Sequence, residues 1–306
     1  MRKKNFLVNQ DFIHTRIDRW FKKNICHVPQ SLIEKSLRKG NIKINNVKIK
    51  SSYNLKKDDV ITIKNITFKV DTNKKNLERY IPRTDELKSS HYLFIENNQN
   101  FAVINKPSGI SVQSGTKSKR NILDILRSTK EFKDASPFTV HRIDKETSGV
   151  LIVAKNRRYA QLFTSLFRIR KIHKTYLCIV FGKFNHKKGT LRDDLFYYDR
   201  NKKIKLRAIT HFKVLDSNNY YSFLELNPET GRKHQLRKQL LIHGCPILGD
   251  KKYKIPNINT NHKSNLMLHS YKINFSINSV KYNYLANLPK IFKVTLKEKS
   301  LKNFSQ

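Results

Sequence analysis

Acidic residues are scarce in this sequence, since 23 Asp and Glu stand against 63 Lys and Arg and the formal net charge is +40. A chain of this charge repels itself, and its natural partners are polyanions: RNA, DNA or an anionic membrane. No apolar run approaches the roughly 18 residues of a membrane span, and the basic N-terminus lacks the apolar segment of a signal peptide. We therefore expect a soluble cytoplasmic protein that does not enter a membrane.

Cysteine and glycine are also sparse, with three and nine residues. Cys26, Cys178 and Cys245 are far apart in the sequence and form no C-x-x-C pair, so neither a disulfide framework nor a zinc site is expected. The sequence also lacks a P-loop and the glycine fingerprint of a dinucleotide-binding fold. We therefore expect no metal and no cofactor.

The length of 306 residues suits two domains, one small and one of about 200 residues. The first is expected over residues 12–72 as a compact α/β unit. Gly40 stands where the end of a helix requires a positive φ, and Asn45 and Asn46 stand at the centre of a hairpin pattern. The basic positions of this helix and hairpin include Lys35, Arg38, Lys39 and Lys43. They form either a solvated face or an RNA-binding face that contacts phosphates.

This first unit resembles the alpha-L RNA-binding fold, the domain type first known from ribosomal protein S four. The resemblance rests on RIDRWF (residues 16–21), SLIEKSLRKGNIKINN (31–46) and LKKDDVITI (55–63). It covers about 55 residues. It implies RNA binding by the basic helix and the adjoining loop, and it implies no chemistry.

The rest of the chain differs in texture. Residues 73–88 are polar and lack hydrophobic periodicity, which predicts a linker. The second domain is expected over residues 89–298, followed by a basic tail at 299–306. Many strand-like segments with few helices between them predict a mixed, largely antiparallel sheet, so we assign the chain to the α+β class. Helices are predicted over residues 156–170 and 232–242.

The stretch HRIDKETSGVLIVAK (residues 141–155) places an acid, Asp144, in front of a buried strand in a very basic chain. A carboxylate there can act as a nucleophile, a general base or a metal ligand, or it can cap an ordinary turn. Metal ligation is disfavoured because no second acid lies at ligand spacing. Glu146 leaves a glycosidase pair of carboxylates open.

Several cations are candidates for the surroundings of Asp144. The segment TGRKHQLRKQLLIHG brings Arg232, His234 and Arg237 from the first two turns of a predicted helix. Either these side chains form an exposed basic face, or one guanidinium pairs with Asp144 and aims it with its planar fork. Sequence spacing does not say which arginine forms that pair.

Two further segments hold candidate contacts for a nucleic acid. Lys174 and Tyr176 alternate along a predicted strand and therefore point to the same face. Tyr176 either packs in the core or stacks on an unpaired base. Lys106, in the turn NKPSG, is able to meet a phosphate.

Taken together, these blocks resemble the RluA-type pseudouridine synthases. The matching segments, in the order of that family, are INKPSG (104–109), HRIDKETSGVLIVAK (141–155), KTYLCIVFG (174–182), TGRKHQLRKQLLIHGCPILGD (230–250) and LHS (268–270). Together with the first unit, the resemblance spans nearly the whole chain. The sequence departs from the family pattern at Lys233, Leu236 and Gln239, which bears on RNA contacts and target choice more than on catalysis.

The resemblance implies that the protein isomerises uridine to pseudouridine in RNA after flipping the base out of its stack. It implies that Asp144 begins the reaction, Arg237 pairs with Asp144, Tyr176 stacks on the uracil and Arg142 occupies the vacated space or holds the flipped nucleotide. It also implies a monomer that needs no cofactor and that acts on large-subunit ribosomal RNA.

Three alternatives stay open from the sequence. The target is transfer RNA instead, the protein is a non-catalytic RNA-binding factor in ribosome assembly, or the same acid serves a nucleoside hydrolase or glycosylase.

Overall fold

The computed structural model describes residues 3–26, 28–64, 80–114, 120–184, 186–199, 202–256 and 265–302. The chain divides into two compact units, Met1–Leu77 and Glu78–Gln306. Among the described residues, no helix is long and apolar enough to cross a membrane.

The first unit is a small sheet with two helices. Its elements are β1 (Lys3–Leu7), α1 (Ile17–Asn24), α2 (Gln30–Lys39), β2 (Ile42–Ile44) and β3 (Val60–Lys64). The strand order is β1-β3-β2 with antiparallel pairing throughout. The core is built from fully buried aliphatic and aromatic side chains, which include Ile17, Phe21, Ile33, Leu55 and Ile61.

Two turns of this unit follow the sequence prediction. Gly40 ends α2 with a φ of 75°. Its own N–H donates to Leu37 O at 3.0 Å, and the N–H of Asn41 donates to Ser36 O at 2.9 Å. Asn45 and Asn46 have φ values of 48° and 63°, as a tight two-residue hairpin turn requires. The prediction of a second strand after this turn is wrong. Val47 makes a single bridge to Ile44, and β2 pairs with β3 instead.

The second unit is built around one large sheet. Its strands are β4 (Phe94–Asn97), β5 (Phe101–Lys106), β6 (Phe138–Thr139), β7 (Ser148–Ala154), β8 (His173–Phe181), β9 (Lys188–Asp199), β10 (Lys202–Ser217), β11 (Tyr221–Pro228), β12 (Leu268–Ile277) and β13 (Val280–Leu285). The order is β4-β5-β7-β12-β8-β11-β10-β9, with β13 paired to β12 and β6 to β7. Among the described strands, β7 and β12 form the one parallel pair. The mixed, largely antiparallel α+β class is therefore confirmed.

Five helices accompany this sheet: α3 (Thr84–Ser90), α4 (Ile122–Arg127), α5 (Arg157–Arg168), α6 (Gln235–Ile242) and α7 (Lys290–Glu298). β7 is buried along its whole length, which explains why its sequence is a continuous apolar run rather than an alternating one. α5 begins where the side chain of Asn156 accepts the N–H of Tyr159 at 3.0 Å, close to the predicted start.

The linker expected at 73–88 is wrong in its second half, where α3 begins at Thr84. Glu86 is buried there and accepts hydrogen bonds from Arg83 N at 3.2 Å and Arg120 Nε at 2.6 Å. Of the side chains of this helix that the structure describes, the buried ones are Glu86 and Ser90. Both are polar, so hydrophobic periodicity gave no signal. Residues 73–79 lie outside the described part of the chain.

The basic tail expected at 299–306 is also corrected where it is described. Leu301 packs in the same apolar cluster as Phe292 and Leu296 of α7. The N–H of Lys302 donates to the carboxylate of Asp216 at 2.6 Å. Residues 299–302 therefore belong to the folded unit, and 303–306 lie outside the described residues.

Candidate active site

Asp144 lies in the loop between β6 and β7, in the second unit. The N–H of Thr147 donates to Asp144 O at 3.1 Å and closes a turn, and the neighbouring Ile143 and Thr147 side chains are buried. The Asp144 side chain keeps 25% of its surface exposed. The loop is thus fixed by its buried neighbours, and the carboxylate stays open to a ligand.

Gly149 lets β7 and β12 approach closely just behind this loop. A Cβ on Gly149, which has a φ of 109°, would lie 2.1 Å from the main-chain oxygen of Ser270. No side chain fits there without displacing a strand. Ser270 in turn stands opposite Tyr176 of β8, so the close approach brings Tyr176 towards the Asp144 loop.

Arg237 is the buried cation of the site. Its Nη1 donates to Asp144 Oδ2 at 3.3 Å, so the predicted pairing of an arginine with this acid is present. Its stronger partner is Asp250, which accepts from Nε and from Nη2, both at 2.7 Å. Burial lowers the pKa of Arg237, but the hydrogen bonds and charge of Asp250, together with Asp144, raise it above its ordinary value.

Asp250 is a site residue that sequence reasoning missed. Its side chain is fully buried, and it also accepts the N–H groups of Lys252 and Tyr253, both at 2.9 Å. Burial raises the pKa of this carboxyl, but the bonds from Arg237 and the two N–H groups lower it below its usual range. Asp250 therefore holds one edge of the Arg237 guanidinium and leaves Nη1 to Asp144. The available signal was an acid after a glycine in an apolar segment of a basic chain.

His234 and Tyr253 form the third side of the site. His234 Nε2 lies 3.8 Å from Asp144 Oδ1, and its Nδ1 lies 2.8 Å from the Tyr253 hydroxyl. The Tyr253 ring lies 5.1 Å from the guanidinium carbon of Arg237. Burial chiefly lowers the pKa of His234, and the nearby Asp144 charge opposes this shift.

The predicted start of the arginine-bearing helix is wrong. α6 begins at Gln235, and His234 before it has a φ of 53°. Arg232 and His234 therefore come from the preceding turn instead of from the helix. The Nε of Arg232 donates to Arg207 O at 3.1 Å, which ties this guanidinium to the main chain of β10.

Tyr176 is partly exposed beside the Asp144 loop. Burial of the phenol raises its pKa to about 12, a hydrogen bond from Ser270 opposes this, and the Asp144 charge adds to it. The phenol is therefore protonated throughout the physiological pH range, and a neutral aromatic ring borders the carboxylate.

Lys106 is buried, whereas the predicted phosphate contact requires an exposed ammonium. Its side chain is 0% exposed, and its Nζ donates to Pro107 O at 2.8 Å, Ile110 O at 2.9 Å and Lys145 O at 3.2 Å. Burial lowers the pKa of Lys106 to about 7, and the charges of Glu146 and Asp144 oppose this shift. The lysine instead fastens the NKPSG turn to the Asp144 loop.

The NKPSG turn and the Asp144 loop share two further hydrogen bonds. Gly109 N donates to Lys145 O at 2.8 Å, and the Ser108 hydroxyl donates to Glu146 O at 2.5 Å. Glu146 itself is half-exposed, with Oε2 3.9 Å from Arg237 Nη1.

The remaining predicted contacts of this unit differ in exposure. Arg142 is exposed and makes no side-chain hydrogen bond or ion pair with the described residues, whereas Lys174 is half-buried and burial lowers its pKa. His141 is no cation: its Nε2 accepts the N–H of Ile152 at 2.9 Å, its ring stacks on Phe167, and burial lowers its pKa to about 3.

The basic residues predicted for the first unit lie mostly at its surface. Lys35, Arg38 and Lys39 of α2 are exposed, and Lys43 is half-exposed. The stems of Lys43 and Lys48 pass over Gly40, where an added Cβ would meet their Cε atoms at 3.4 and 2.8 Å. A group of cations therefore surrounds the C-terminal end of α2. Across the described residues of both units, no cluster of three or more potential metal-ligating acids, histidines and cysteines occurs.

Comparison with known proteins identifies the family of the chain. Residues 100–241 match the family model described as RNA pseudouridylate synthase. A solved structure titled Human RNA Pseudouridylate Synthase Domain Containing 4 superposes with a TM-score of 0.61 at 27% identity, covering 71% of this chain and 96% of that one. A curated relative from Buchnera aphidicola subsp. Schizaphis graminum is 32% identical over 283 residues, which is 88% of this chain and 88% of that protein. The chain belongs to the RNA pseudouridylate synthase family and is an isomerase.

The particular relatives are more specific than the family. The Buchnera protein is a ribosomal large subunit pseudouridine synthase C. A protein of the same name from Rickettsia felis is 34% identical over 258 residues, covering 79% of this chain and 82% of that protein. The present chain is similar to both of them over most of its length.

Proposed function

We propose that this isomerase converts uridines of large-subunit ribosomal RNA to pseudouridine, with Asp144 as its catalytic carboxylate. The observation that carries the proposal is the arrangement around Arg237. Its guanidinium is held on one side by the buried Asp250 and donates on the other to Asp144, the partly exposed member of the three. A carboxylate held in this way is oriented before a substrate arrives, which is the condition for rapid chemistry.

The reaction exchanges one bond for another within a single nucleotide. The bond between uracil N1 and ribose C1′ breaks, the uracil turns, C5 bonds to C1′, and the C5 hydrogen leaves as a proton while N1 gains one. Asp144 begins this sequence, either as a nucleophile or by abstracting a proton from the sugar. No electron is lost or gained, so the residues around Asp144 need only orient the base, exclude water and move protons.

The target uracil leaves its stack and enters the space between Asp144 and Tyr176. Unstacking costs a few kcal/mol, and a neutral aromatic ring recovers part of this by stacking on the flipped base. The Tyr176 ring is neutral at physiological pH, as a tyrosine with an ordinary pKa already is, and burial raises its pKa further. Arg142 is exposed two residues before Asp144. Its role in this proposal is to occupy the vacated space or to hold the flipped nucleotide. Lys174 and the turn with Arg232 and His234 contribute positive charge around the opening.

The choice of ribosomal RNA rests on the relatives, whose names specify the ribosomal large subunit. The exposed cations of the first unit, around the end of α2, give that RNA a second place to bind. We assign this unit the RNA-anchoring role that its resemblance to the alpha-L fold implies. A transfer RNA substrate is the competing target.

Tritium at C5 of uridine tests the reaction and the residue together. Large-subunit ribosomal RNA transcribed with 5-tritiated uridine is expected to release tritium to water with the wild-type protein. Asp144→Asn keeps the size of the side chain, removes its charge and replaces one acceptor oxygen with an NH2 donor, and it is expected to release none. Asp194→Asn, at an acid of β9 that is 30% exposed and pairs with Lys205 at 3.0 Å, is the matched control.

Two results would overturn parts of the proposal. Release by Asp144→Asn at the wild-type rate would remove Asp144 from the reaction, and free uracil in place of pseudouridine would make the protein a glycosylase. Mapping pseudouridines that disappear from the transcriptome on deletion of the gene then identifies the target. Sites that disappear from transfer RNA alone would contradict the ribosomal assignment.

A further inference from the structure

A pocket separate from the candidate active site opens on the second unit, between the end of α5, the start of β8 and the hairpin of β12 and β13. Its volume is about 530 Å³, which lies in the range of sites for small ligands. The polar and aromatic side chains that line it include Lys171, His173, Asn274, Ser276, Lys281 and Tyr282. Asp144, Tyr176 and Arg237 do not line it.

Asn274 gives this pocket an unused hydrogen-bond acceptor. Its Oδ1 is buried and has no hydrogen-bond partner, the one such side-chain atom among the described residues. Asn274 stands opposite His173 on β8 and Asn283 on β13, so the three side chains share one face of the sheet. A buried acceptor without a partner costs free energy, and a ligand with an N–H or O–H donor would remove that cost.

The charges around the pocket are all of one sign. Lys171 and Lys281 are exposed, and neither side chain makes an ion pair or hydrogen bond with a described residue. The described residues that line the pocket include no Asp or Glu. Two ammonium groups without a carboxylate between them suit an anion, and a phosphate is the anion that accompanies N–H donors in RNA.

We propose that this pocket binds one nucleotide of the RNA substrate, away from the uridine that reacts. Its phosphate lies between Lys171 and Lys281, and the Asn274 amide turns on binding so that its Oδ1 accepts an N–H of the base. The His173 side chain, which shares the face of Asn274, borders the base. This inference rests on the proposed function only in taking RNA as the substrate.

The position of the pocket allows one RNA chain to reach both sites. His173 opens β8, and Tyr176 follows three residues later. At roughly 3.3 Å per residue the two are about 10 Å apart along the strand. Their side chains point to opposite faces, so the RNA passes around the N-terminal end of β8. The basic connection from α5, with Arg170 and Lys171, lies at this end.

Charge removal tests the phosphate contact. The double variant Lys171→Gln/Lys281→Gln is expected to raise KM for the RNA about tenfold and leave kcat unchanged. The slope of log affinity against log salt should fall by about 1. Lys293→Gln/Lys297→Gln, two exposed lysines of α7, is the matched control and should change KM less than twofold. Equal effects of the two doubles would reduce the pocket to general electrostatic attraction and overturn the proposal.

A cycle between protein and RNA tests the base contact. Single abasic substitutions are walked along an RNA substrate on both sides of the target uridine. At one position, base removal should weaken binding to the wild type by about tenfold and leave binding to Asn274→Leu unchanged. Asn274→Thr, which keeps an acceptor oxygen, should recover part of the difference. If no position shows this coupling, the pocket holds no base.

Free nucleotides separate the two sources of the same chemistry. Cytidine and adenosine 5′-monophosphate are titrated into the wild-type protein while the Asn274 side-chain amide is followed by NMR. Weak binding that RNA displaces supports an RNA subsite. Tight binding that RNA does not displace would make the pocket a site for free nucleotides and would overturn the proposal.

The outcomes also separate this inference from the proposed function. Tritium release with no coupling at Asn274 leaves the isomerase assignment standing and removes the subsite. Coupling at Asn274 without tritium release from ribosomal RNA leaves the subsite standing and removes the assigned substrate.

Discussion

The basic side chains of the two units differ in what surrounds them. In the second unit Lys106 and Arg237 are buried, and each bonds to fixed acceptors. In the first unit Lys35, Arg38 and Lys39 stand exposed around the end of α2. A chain with 63 Lys and Arg therefore uses the same charge in two ways. Buried cations hold loops and a carboxylate in place, and exposed cations remain available to a polyanion.

The largest effect is expected for Arg237→Met, which tests the different roles of buried and exposed cations. The change leaves Asp250 fully buried with its charge unpaired, which should lower the free energy of unfolding by about 3–5 kcal/mol. Because Asp144 also loses the guanidinium that orients it, tritium release should fall by at least about 100-fold. Urea unfolding and the release assay measure the two effects separately.

A double variant sharpens this result. Arg237→Met/Asp250→Leu replaces the buried pair with apolar side chains and should recover most of the stability, since such replacements are often neutral. It should not recover activity. Arg142→Met, at an exposed arginine, should change stability by less than about 0.5 kcal/mol. Wild-type activity in the double variant would show that Arg237 serves stability alone.

Lys106→Met is expected to have the next largest effect. It removes the donor to three main-chain carbonyls and should cost about 1–3 kcal/mol of stability. RNA affinity should be unchanged, because the ammonium is not at the surface. Lys145→Met, at the exposed neighbouring side chain, is the control for stability. A loss of affinity at unaltered stability would restore the phosphate contact that the sequence suggested.

The sequence predicted the fold class and the composition of the site better than the roles of its cations. The buried run of β7, the asparagine cap of α5 and the left-handed Gly40 each have a local cause, so the sequence reveals them. The sequence suggested that an arginine pairs with Asp144, and only the family resemblance implied that this arginine is Arg237. The prediction that Lys106 is exposed was wrong, because a lysine in a turn after a strand is normally exposed and only the structure shows the carbonyls around its ammonium.

Asp250 and the unused acceptor of Asn274 show a second limit. Both depend on partners far along the chain, or on the lack of one. Asp250 meets Arg237 through a helix and a loop, and Asn274 is isolated by its neighbours across two strands. α3 was missed for a related reason, since its buried residue Glu86 is an acid whose partners lie elsewhere. Local patterns do not encode such contacts.

Acid pH should destabilise the second unit through histidines whose pKa is lowered by burial. This loss of stability should be smaller than the loss caused by removing Arg237 or Lys106. The folded pKa of His141 is about 3, against 6.5 for an ordinary histidine. Between these values the unfolded chain binds a proton that the folded chain does not, so stability falls as pH drops below 6.5. At pH 5.5 the loss should be about 1.4 kcal/mol. His269, with a pKa lowered to about 4 by burial, adds to it in the same direction.

His141→Gln isolates the contribution of His141. The glutamine amide oxygen is able to accept the N–H of Ile152 and does not titrate, so the acid-induced loss should be smaller than in the wild type by about 1.4 kcal/mol at pH 5.5. Urea unfolding at pH 7.5 and 5.5 measures the difference, with His91→Gln at an exposed histidine as the control. Parallel profiles of wild type and His141→Gln would mean that His141 does not resist protonation in the fold.

The smallest effect on stability is expected at the exposed cations of the first unit. We consider a variant in which four cations are changed to Gln: Lys35, Arg38, Lys39 and Lys43. Its free energy of unfolding should change by less than about 0.5 kcal/mol per substitution. Their effect should appear in RNA binding, where the slope of log affinity against log salt falls by about 0.7 for each phosphate that the variant no longer neutralises. Filter binding between 50 and 300 mM salt, over a range of roughly one decade, resolves such a change.

A control variant that removes other exposed lysines of the same unit decides what this change of slope means. Lys56→Gln/Lys57→Gln removes two exposed cations of the same unit, away from α2. If RNA binds at the end of α2, the slope per charge removed should fall several times more in the four-residue variant than in the control. Equal slopes per charge would mean that the net charge of the unit attracts RNA without a defined face. In that case the division between the two units would hold for the buried cations only, because exposure would be necessary for an RNA contact but would not locate it.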